Sequence, residues 1–232
     1  MLHGSVVIVQ KDYPEIVFKL GRRKTPKSSR LWLTHKKDHF SKKWEVHGRS
    51  ILKNIERNCG LGFPKRAIKE GIEVYLYKSK REDGNYLGDM IETEPLRLNI
   101  YLKKRSTWRT AKSTLIHELI HCIMWQAYYF DYRRRNPTLF EDYFADELIT
   151  CIVEQIVLGR KLNRKMCREA FEYALGETKL RLARMEHSQE LTKLLVEFAG
   201  NYKNKIRSGE SSILTERKRL LQELPSPLPE TL

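Results

Sequence analysis

The sequence predicts an α+β fold in which a small mixed sheet packs on two helices. Two short segments, Ile72 to Tyr77 and Leu96 to Leu102, alternate apolar and polar residues in the manner of half-buried strands. Two longer segments with helical spacing follow, from after Arg105 to about Trp125 and from about Thr138 to Leu158. We therefore place the core in residues 41–160, with a basic β-rich region before it and a helical extension after it.

Short strands separated by a polar connection are predicted for residues 1–40. The candidate strands are Val6 to Val9, Ile16 to Phe18 and Leu31 to Leu33. The connection between the last two, Gly21 to Arg30, is basic and contains proline and serine, which favour a loop.

Small polar residues and glycines mark the ends of the predicted helices. The first helix is expected to begin at Ser41 and to end before Gly60. Ser106 or Thr107 is expected to cap the second helix, which carries the chemical motif described below.

A charged helical extension is predicted for residues 161–223. Three glycines, Gly176, Gly200 and Gly209, are expected to interrupt it. The proline-rich residues 224–232 are predicted to form an extended tail.

The net charge of +15 is concentrated in the first third of the chain. Residues 1–70 hold 17 lysines and arginines against 6 acidic residues, a net of +11, whereas residues 71–160 hold 13 of each. A basic field of this kind favours polyanions or acidic partners. It lies outside the segment that carries the chemical motif.

Cysteine spacing and hydropathy indicate a cytoplasmic protein. The four cysteines, Cys59, Cys122, Cys151 and Cys167, lie far apart and form no Cys-x-x-Cys pair. This spacing argues against a disulfide scaffold and a cysteine-built zinc site, and predicts reduced core thiols. No run of about 18 apolar residues occurs, so no membrane span is predicted.

The motif His117-Glu118-Leu119-Ile120-His121 carries the clearest chemical signal. Residues four apart lie on one face of a helix, so His117 and His121 can direct two imidazole nitrogens at one zinc ion. Glu118 can reach a water on the open side of that ion, activate it for attack on an amide carbonyl, and pass the proton to the leaving amine. Uncharged residues flank the motif, and three ionisable side chains in a buried helix are costly unless a metal pairs with them.

A third protein ligand would complete a catalytic zinc site and leave one position for water. The helix from about Thr138 is rich in carboxylates, and Glu147 falls in a mostly apolar sector of its helical wheel. We therefore favour Glu147 as the third ligand, with Glu141 as the alternative. The remaining candidates are Asp146, Glu154 and His187. A carboxylate that does not bind the metal can orient a histidine instead.

Residues 72–158 resemble the zincin metallopeptidases, and among them the gluzincins, in which a glutamate from the following helix completes the site. Small members of this group are the minigluzincins and the ImmA/IrrE-like or phage-encoded enzymes. The resemblance implies a Zn²⁺-dependent endopeptidase that acts on protein or peptide substrates, with Glu118 as the catalytic base. It implies the zinc ligands His117, His121 and Glu147. It also implies that the strand before the motif helix, Leu96 to Leu102, is the sheet edge that binds extended substrate.

The sequence departs from related zincins at two points. No third histidine follows the motif closely, so the metzincin and SprT-like patterns do not fit. The tyrosine or histidine that such enzymes use to stabilise the oxyanion has several candidates and no single assignment. These candidates are Tyr128, Tyr129, Tyr132, Tyr173 and His187.

The alternative interpretation is a binding protein that keeps this fold and contacts nucleic acid. Cations between Arg22 and Lys43 would contact phosphates, and Trp32, Phe40 and Trp44 would stack on bases. Both interpretations hold if a peptidase is recruited to nucleic acid. A third interpretation is a peptidase that cleaves one regulatory partner, and the loop Arg133 to Arg135 then hints at acidic residues in the substrate.

Overall fold

The computed structural model describes residues 12–21, 26–79, 88–91, 95–132, 139–160, 163, 165 and 188–223. Within them the protein is an α+β structure with one four-stranded mixed sheet and six helices. The predicted fold class is confirmed at this level. None of the described helices combines the length and the apolar character needed to cross a bilayer.

Within the described residues all four strands lie in the first half of the chain, and only helices follow them. The strands are β1 (Ile16–Leu20), β2 (Ile72–Lys78), β3 (Gly88–Ile91) and β4 (Leu96–Leu102). The helices are α1 (Lys27–Cys59), α2 (Lys65–Glu70), α3 (Trp108–Tyr132), α4 (Leu139–Val157), α5 (Ser188–Ser208) and α6 (Ile213–Glu223). The predicted strand Val6 to Val9 and the predicted tail 224–232 lie outside the described residues.

The sheet has the strand order β1-β2-β4-β3. Strands β1, β2 and β4 are parallel, and β3 runs antiparallel to β4. The prediction that β4 is the edge of the sheet is wrong, because β4 lies between β2 and β3. Its residues Leu98 and Asn99, which point to opposite faces, are both buried, as expected for an inner strand. The edge nearest the motif helix is therefore β3.

The two faces of the sheet are covered differently. Apolar side chains of β2 and β4, among them Val74, Leu76, Leu98 and Ile100, belong to the core that also contains residues of α1 and α3. The opposite face carries a polar and aromatic layer. In it the Arg97 guanidinium lies 4.1 Å from the centroid of the Tyr75 ring, and the rings of Tyr77 and Tyr101 stack 5.4 Å apart.

Helix α1 is a single helix of 33 residues, and two predictions for this segment are wrong. Leu31 to Leu33 is not a strand, and the helix begins at Lys27 instead of Ser41. The reason is that Leu33 continues the helical stripe of buried Phe40 and Trp44, whereas Leu31 is 61% exposed. The described part of the N-terminal region is thus not β-rich, and the proposed boundary between residues 40 and 41 falls inside α1.

Glycines end two helices as predicted, but a further glycine inside the second of these helices does not interrupt it. Gly60 follows α1 with φ of 63°, and Gly209 follows α5 with φ of 76°, a conformation that glycine adopts without steric cost. The interruption predicted at Gly200 is wrong, because α5 continues through it. Buried Phe198 and Tyr202 on either side of Gly200 anchor α5 in the core, and this packing outweighs the low helix propensity of glycine.

Candidate metal centre

Helix α3 holds the motif in a buried and well-capped position. Thr107 is the cap: its Oγ1 accepts a hydrogen bond from the Thr110 backbone N–H at 3.4 Å, and the Thr110 Oγ1 accepts one from the Thr107 N–H at 2.9 Å. Ser106, the other predicted cap, instead accepts a bond from the Lys103 N–H. Further along α3, the side chains of Leu119 and Ile120 within the motif are fully buried, which fixes the direction of the histidines.

Three predicted ligands meet between α3 and α4. The Nε2 atoms of His117 and His121 are 3.2 Å apart. Each carboxylate oxygen of Glu147 lies near one histidine: Oε2 is 3.2 Å from His117 Nε2, and Oε1 is 3.2 Å from His121 Nε2. The structure thus brings together the two histidines of the motif and the carboxylate favoured by the sequence analysis.

The spacing and chemistry of these donors fit a tetrahedral metal ion. Zinc binds imidazole nitrogen and carboxylate oxygen at about 2.0 to 2.2 Å, and tetrahedral ligands at such distances are roughly 3.3 Å from one another. Each histidine Nε2 lies 3.2 Å from the other and 3.2 Å from one of the two Glu147 oxygens, and a set of one donor atom per residue lies within 4.8 Å, close enough for the side chains to share one ion. The group formed by His117, His121 and Glu147 can therefore hold a metal ion, with a fourth position left for water or substrate.

Glu154 supports the centre from outside the ligand triangle. It lies two helical turns after Glu147 on α4, and its Oε2 is 3.4 Å from His117 Nδ1. Its other carboxylate oxygen accepts a hydrogen bond from the Ser113 hydroxyl. A carboxylate on the far ring nitrogen fixes the tautomer of a ligand histidine and its orientation. From the sequence alone Glu154 is only a lesser ligand candidate, and no sequence pattern identifies Ser113, which lies one turn before His117.

A buried cysteine also lies against the first histidine. Cys151, one turn after Glu147, forms a hydrogen bond with the His117 side chain. Burial raises the pKa of the Cys151 thiol to about 11, so this thiol is a neutral neighbour of His117. The prediction of reduced core thiols is confirmed for Cys59, Cys122 and Cys151, whereas Cys167 lies outside the described residues.

The ionisable groups of the centre perturb one another strongly. Burial alone would lower the pKa of His117, but its hydrogen bonds with Cys151, Glu147 and Glu154 outweigh burial and raise that pKa. Burial alone would raise the pKa of Glu147, but the attraction of His121 and hydrogen bonds from both histidines outweigh it and lower the pKa. Desolvation raises the pKa of Glu118, against the opposing attraction of the two histidines. Such opposed shifts are typical of functional sites.

The edge strand β3 lies directly over Glu118. A Cβ atom placed on Gly88 would be 2.5 Å from Glu118 Oε1 and 2.8 Å from Thr114 Cγ2, so only glycine allows this close approach. The next residue, Asp89, is near enough to contribute to the raised pKa of Glu118. The catalytic candidate is therefore enclosed between α3 and the edge of the sheet.

The remaining ligand and oxyanion candidates either lie away from the metal centre or fall outside the residues that the structure describes. Asp146 forms an ion pair with Arg217 of α6 and does not contribute to the ligand triangle. The side chain of Glu141, the alternative ligand, lies outside the described residues, as does His187. The oxyanion candidates, the side chains of Tyr128, Tyr129 and Tyr132 together with Tyr173, also lie outside them.

Comparisons of the chain with models of protein families, with curated proteins and with solved structures found no match. Any functional conclusion must therefore be drawn from the chemistry of the centre itself.

Proposed function

We propose that this protein is a zinc-dependent endopeptidase of the gluzincin type. The observation that carries the proposal is the triangle of His117, His121 and Glu147, in which each histidine Nε2 lies 3.2 Å from the other and from one Glu147 oxygen. Glu118 projects beside it from the same helix as the histidines. Two imidazoles and one carboxylate form the ligand set of a hydrolytic zinc site with an open fourth position. Two histidines and a carboxylate that packed together only for stability would not need a second carboxylate beside them. Glu118 is such a carboxylate, and its burial, with 6% exposed, is costly.

Zinc held by these three side chains would polarise the scissile carbonyl and acidify a water molecule at the open position. Glu147 supplies the negative charge of the ligand set, and Glu154 holds His117 with Nε2 directed at the ligand triangle. The pKa of Glu147 lies below its ordinary range, so this carboxylate remains ionised and available as a ligand.

Glu118 is the proposed general base and acid. It removes a proton from the attacking water as the oxygen–carbon bond forms, and it delivers that proton to the amide nitrogen as the carbon–nitrogen bond breaks. Burial raises its pKa, which brings the carboxyl group closer to the range in which it can both accept and donate a proton near neutral pH. Its enclosure beneath Gly88 also limits the access of bulk water.

The substrate-binding edge in this proposal is β3 instead of β4. An extended peptide can add to the last strand of a sheet through backbone hydrogen bonds, and β3 is last in the described strand order. Gly88 places β3 in contact with Glu118, so a peptide on this edge would lie beside the general base.

Metal analysis of purified variants tests the proposal. We expect about one zinc per chain in the parent protein and in Glu118→Gln, and loss of zinc in His117→Ala, His121→Ala and Glu147→Gln. Glu73→Gln is a matched control, because Glu73 is a hydrogen-bonded carboxylate on the opposite face of the sheet, bound to Lys19 and Tyr75. A parent protein that stays free of zinc after dialysis against it would overturn the metal site.

Hydrolysis of a labelled, unfolded protein separates the peptidase from a bare metal site. The parent should cleave it, whereas Glu118→Gln should retain zinc and lose at least a hundredfold in rate, within the range general acid–base catalysis contributes. Equal rates for the parent and Glu118→Gln would contradict the role of Glu118 even if zinc is bound.

A further inference from the structure

Helix α1 carries much of the positive charge of the protein on a surface that faces away from the core. Over Lys27–Cys59 the helix has nine lysines and arginines against three acidic residues. Its buried side, with Phe40, Trp44, Leu52 and Ile55, belongs to the hydrophobic core. The charge is thus displayed on the opposite side of a long helix that is anchored in the core.

One stripe of this surface has no acidic residue. Its members recur every three or four residues, which places them along one side of the helix. We define this basic stripe as His35, His39, Lys42, Val46, Arg49, Lys53 and Arg57, and all seven are exposed. Asp38 and Glu45 lie beside the stripe and not on it.

The cations of the basic stripe are less engaged in contacts within the protein than Lys36 and Lys37 of the same helix. Lys36 donates to the backbone carbonyl of Ser106 at 2.7 Å, and Lys37 pairs with Asp38 at 2.9 Å. In the part of the chain that the structure describes, no carboxylate lies within 4.0 Å of Lys42, Lys53 or Arg57. Arg49 contacts Asp12 at 3.4 Å, a pair in which both side chains are largely exposed to solvent and which is therefore weak.

Base stacking is not available to this surface. Phe40 and Trp44, which the sequence analysis considered as stacking residues, are 0% and 9% exposed and belong to the core, so that part of the expectation is wrong. Trp32 is half-buried and has the Lys36 ammonium 5.7 Å from its ring centroid. Contacts made by the basic stripe would therefore be with phosphates and would not depend on base sequence.

We propose that the basic stripe of α1 docks the phosphate backbone of a nucleic acid duplex. From His35 to Arg57 the helix rises about 33 Å at 1.5 Å per residue, comparable with roughly ten base pairs at 3.4 Å each. Cations one helical turn apart, such as Arg49, Lys53 and Arg57, match a polyanion of regular charge spacing. A membrane surface fits less well, because a membrane-bound helix presents a broad apolar face, and Val46 is the stripe's single aliphatic side chain.

Fluorescence anisotropy with a labelled DNA duplex of about 20 base pairs tests the proposal. The stripe variant Lys42→Glu/Lys53→Glu/Arg57→Glu is compared with Lys193→Glu/Lys203→Glu/Arg207→Glu, which makes the same change in net charge at exposed residues of α5. With four phosphate contacts, affinity of the parent protein should fall roughly 100-fold between 50 and 200 mM salt. The stripe variant should bind at least tenfold more weakly than the parent at 50 mM salt and show a flatter salt dependence, whereas the α5 variant should retain most of the affinity.

Three outcomes would overturn the proposal. The first is no binding of the duplex by the parent protein at 50 mM salt. The second is an equal loss in the two variants, which would assign the binding to net charge alone. The third is binding of anionic phospholipid vesicles without binding of the duplex, which would identify a different partner. The Glu118→Gln and His121→Ala proteins should bind the duplex like the parent, so this result and the metal analysis can fail separately.

Discussion

At the scale of single residues, the proposed metal centre depends on side chains that do not touch the metal. Glu154 links His117 to the Ser113 hydroxyl, and thereby connects α4 with the first half of α3. We expect Glu154→Gln to weaken zinc binding by about 10- to 100-fold, because the histidine loses the charged partner that fixes its ring. Competition with a chromophoric chelator measures this affinity. Glu73→Gln should leave it unchanged, and an equally small effect in both variants would contradict the assigned role.

Gly88 is a second residue that acts without touching the metal, because its lack of a side chain allows β3 to approach Glu118. In Gly88→Ala the new methyl group would meet Glu118 Oε1 at 2.5 Å, so either the carboxylate or β3 must move. We expect a rate of hydrolysis at least tenfold below that of the parent, with zinc content retained. The control is Gly200→Ala, where the new methyl group meets nothing within 4 Å. That variant should keep its activity and gain about 0.5 to 1 kcal/mol of stability from helix propensity.

The residues that the sequence predicts best are those whose spacing alone has a chemical meaning. His117, Glu118 and His121 follow from a five-residue motif on one helix. Glu147 could be favoured from its place on a helical wheel but not separated from Glu141, because the wheel does not show which sector faces α3. The roles of Glu154 and Gly88 depend on contacts between elements distant in sequence, and no local pattern reports such contacts.

At the scale of elements, α6 holds the ligand helix α4 by a buried ion pair. The Arg217 side chain is 3% exposed and its Nε donates to Asp146, the residue directly before Glu147. We expect Arg217→Met to destabilise the protein by about 2 to 4 kcal/mol, because it removes a buried guanidinium that pairs with a partly buried carboxylate. Zinc affinity should fall as well, since α4 is less firmly held. Urea denaturation and chelator competition give the two values.

A second variant separates loss of the ion pair from loss of packing. Replacing both residues, in Arg217→Met/Asp146→Leu, should recover part of the lost stability, because the carboxylate that has lost the guanidinium is removed as well. If the double variant is less stable than Arg217→Met, packing and not charge explains the effect. Arg66→Met serves as a comparison, since Arg66 pairs with Glu70 where both side chains are 31% exposed, and it should cost about 1 kcal/mol or less.

Elements were predictable where their pattern was long or clearly alternating. The bounds of β4 are those predicted, and α4 agrees to within one residue at each end. The errors arose where a short apolar run belonged to a larger pattern, as at Leu31 to Leu33 in α1. The order of strands in the sheet could not be predicted, because pairing is decided by burial on both faces, as Asn99 in β4 illustrates with 3% exposure.

At the scale of the whole molecule, the C-terminal helices are part of one hydrophobic core. Tyr202 of α5 is fully buried, and its hydroxyl donates to the Asn58 carbonyl near the end of α1 at 2.6 Å. Phe198 and Leu220 lie in the same core as Leu98 of the sheet. Global stability is therefore a suitable measure of what happens at the metal centre, which lies between α3 and α4.

The stabilisation of the protein by zinc should increase with pH. The raised pKa of His117 means that its pairing with carboxylates stabilises the chelator-treated protein below about pH 6.5, and that this stability is lost as the pH rises through the raised value. The lowered pKa of Glu147 gives stability above about pH 4.5, lost as the pH falls through the lowered value. Zinc binds the neutral imidazole, so at low pH it must displace a proton from His117.

Thermal unfolding with and without zinc measures this linkage. The increase in Tm on adding zinc should be small near pH 5.5 and should grow through pH 7.5, because fewer protons compete for His117. An increase in Tm that is independent of pH would contradict the assignment of His117 as a ligand. In His117→Ala, zinc should leave Tm unchanged across the range.

The three buried thiols also allow the local opening of the protein to be measured at its own cysteines. Burial raises the pKa of Cys59, Cys122 and Cys151, so an alkylating reagent can modify each one only during an opening that exposes it. Cys59 ends α1, Cys122 directly follows His121, and Cys151 lies against His117. With Cys167 replaced, the alkylation rate at each cysteine would report how often its surroundings open. The rates at Cys122 and Cys151 would describe the ligand helices, and the rate at Cys59 would describe the long basic helix, without any engineered cysteine.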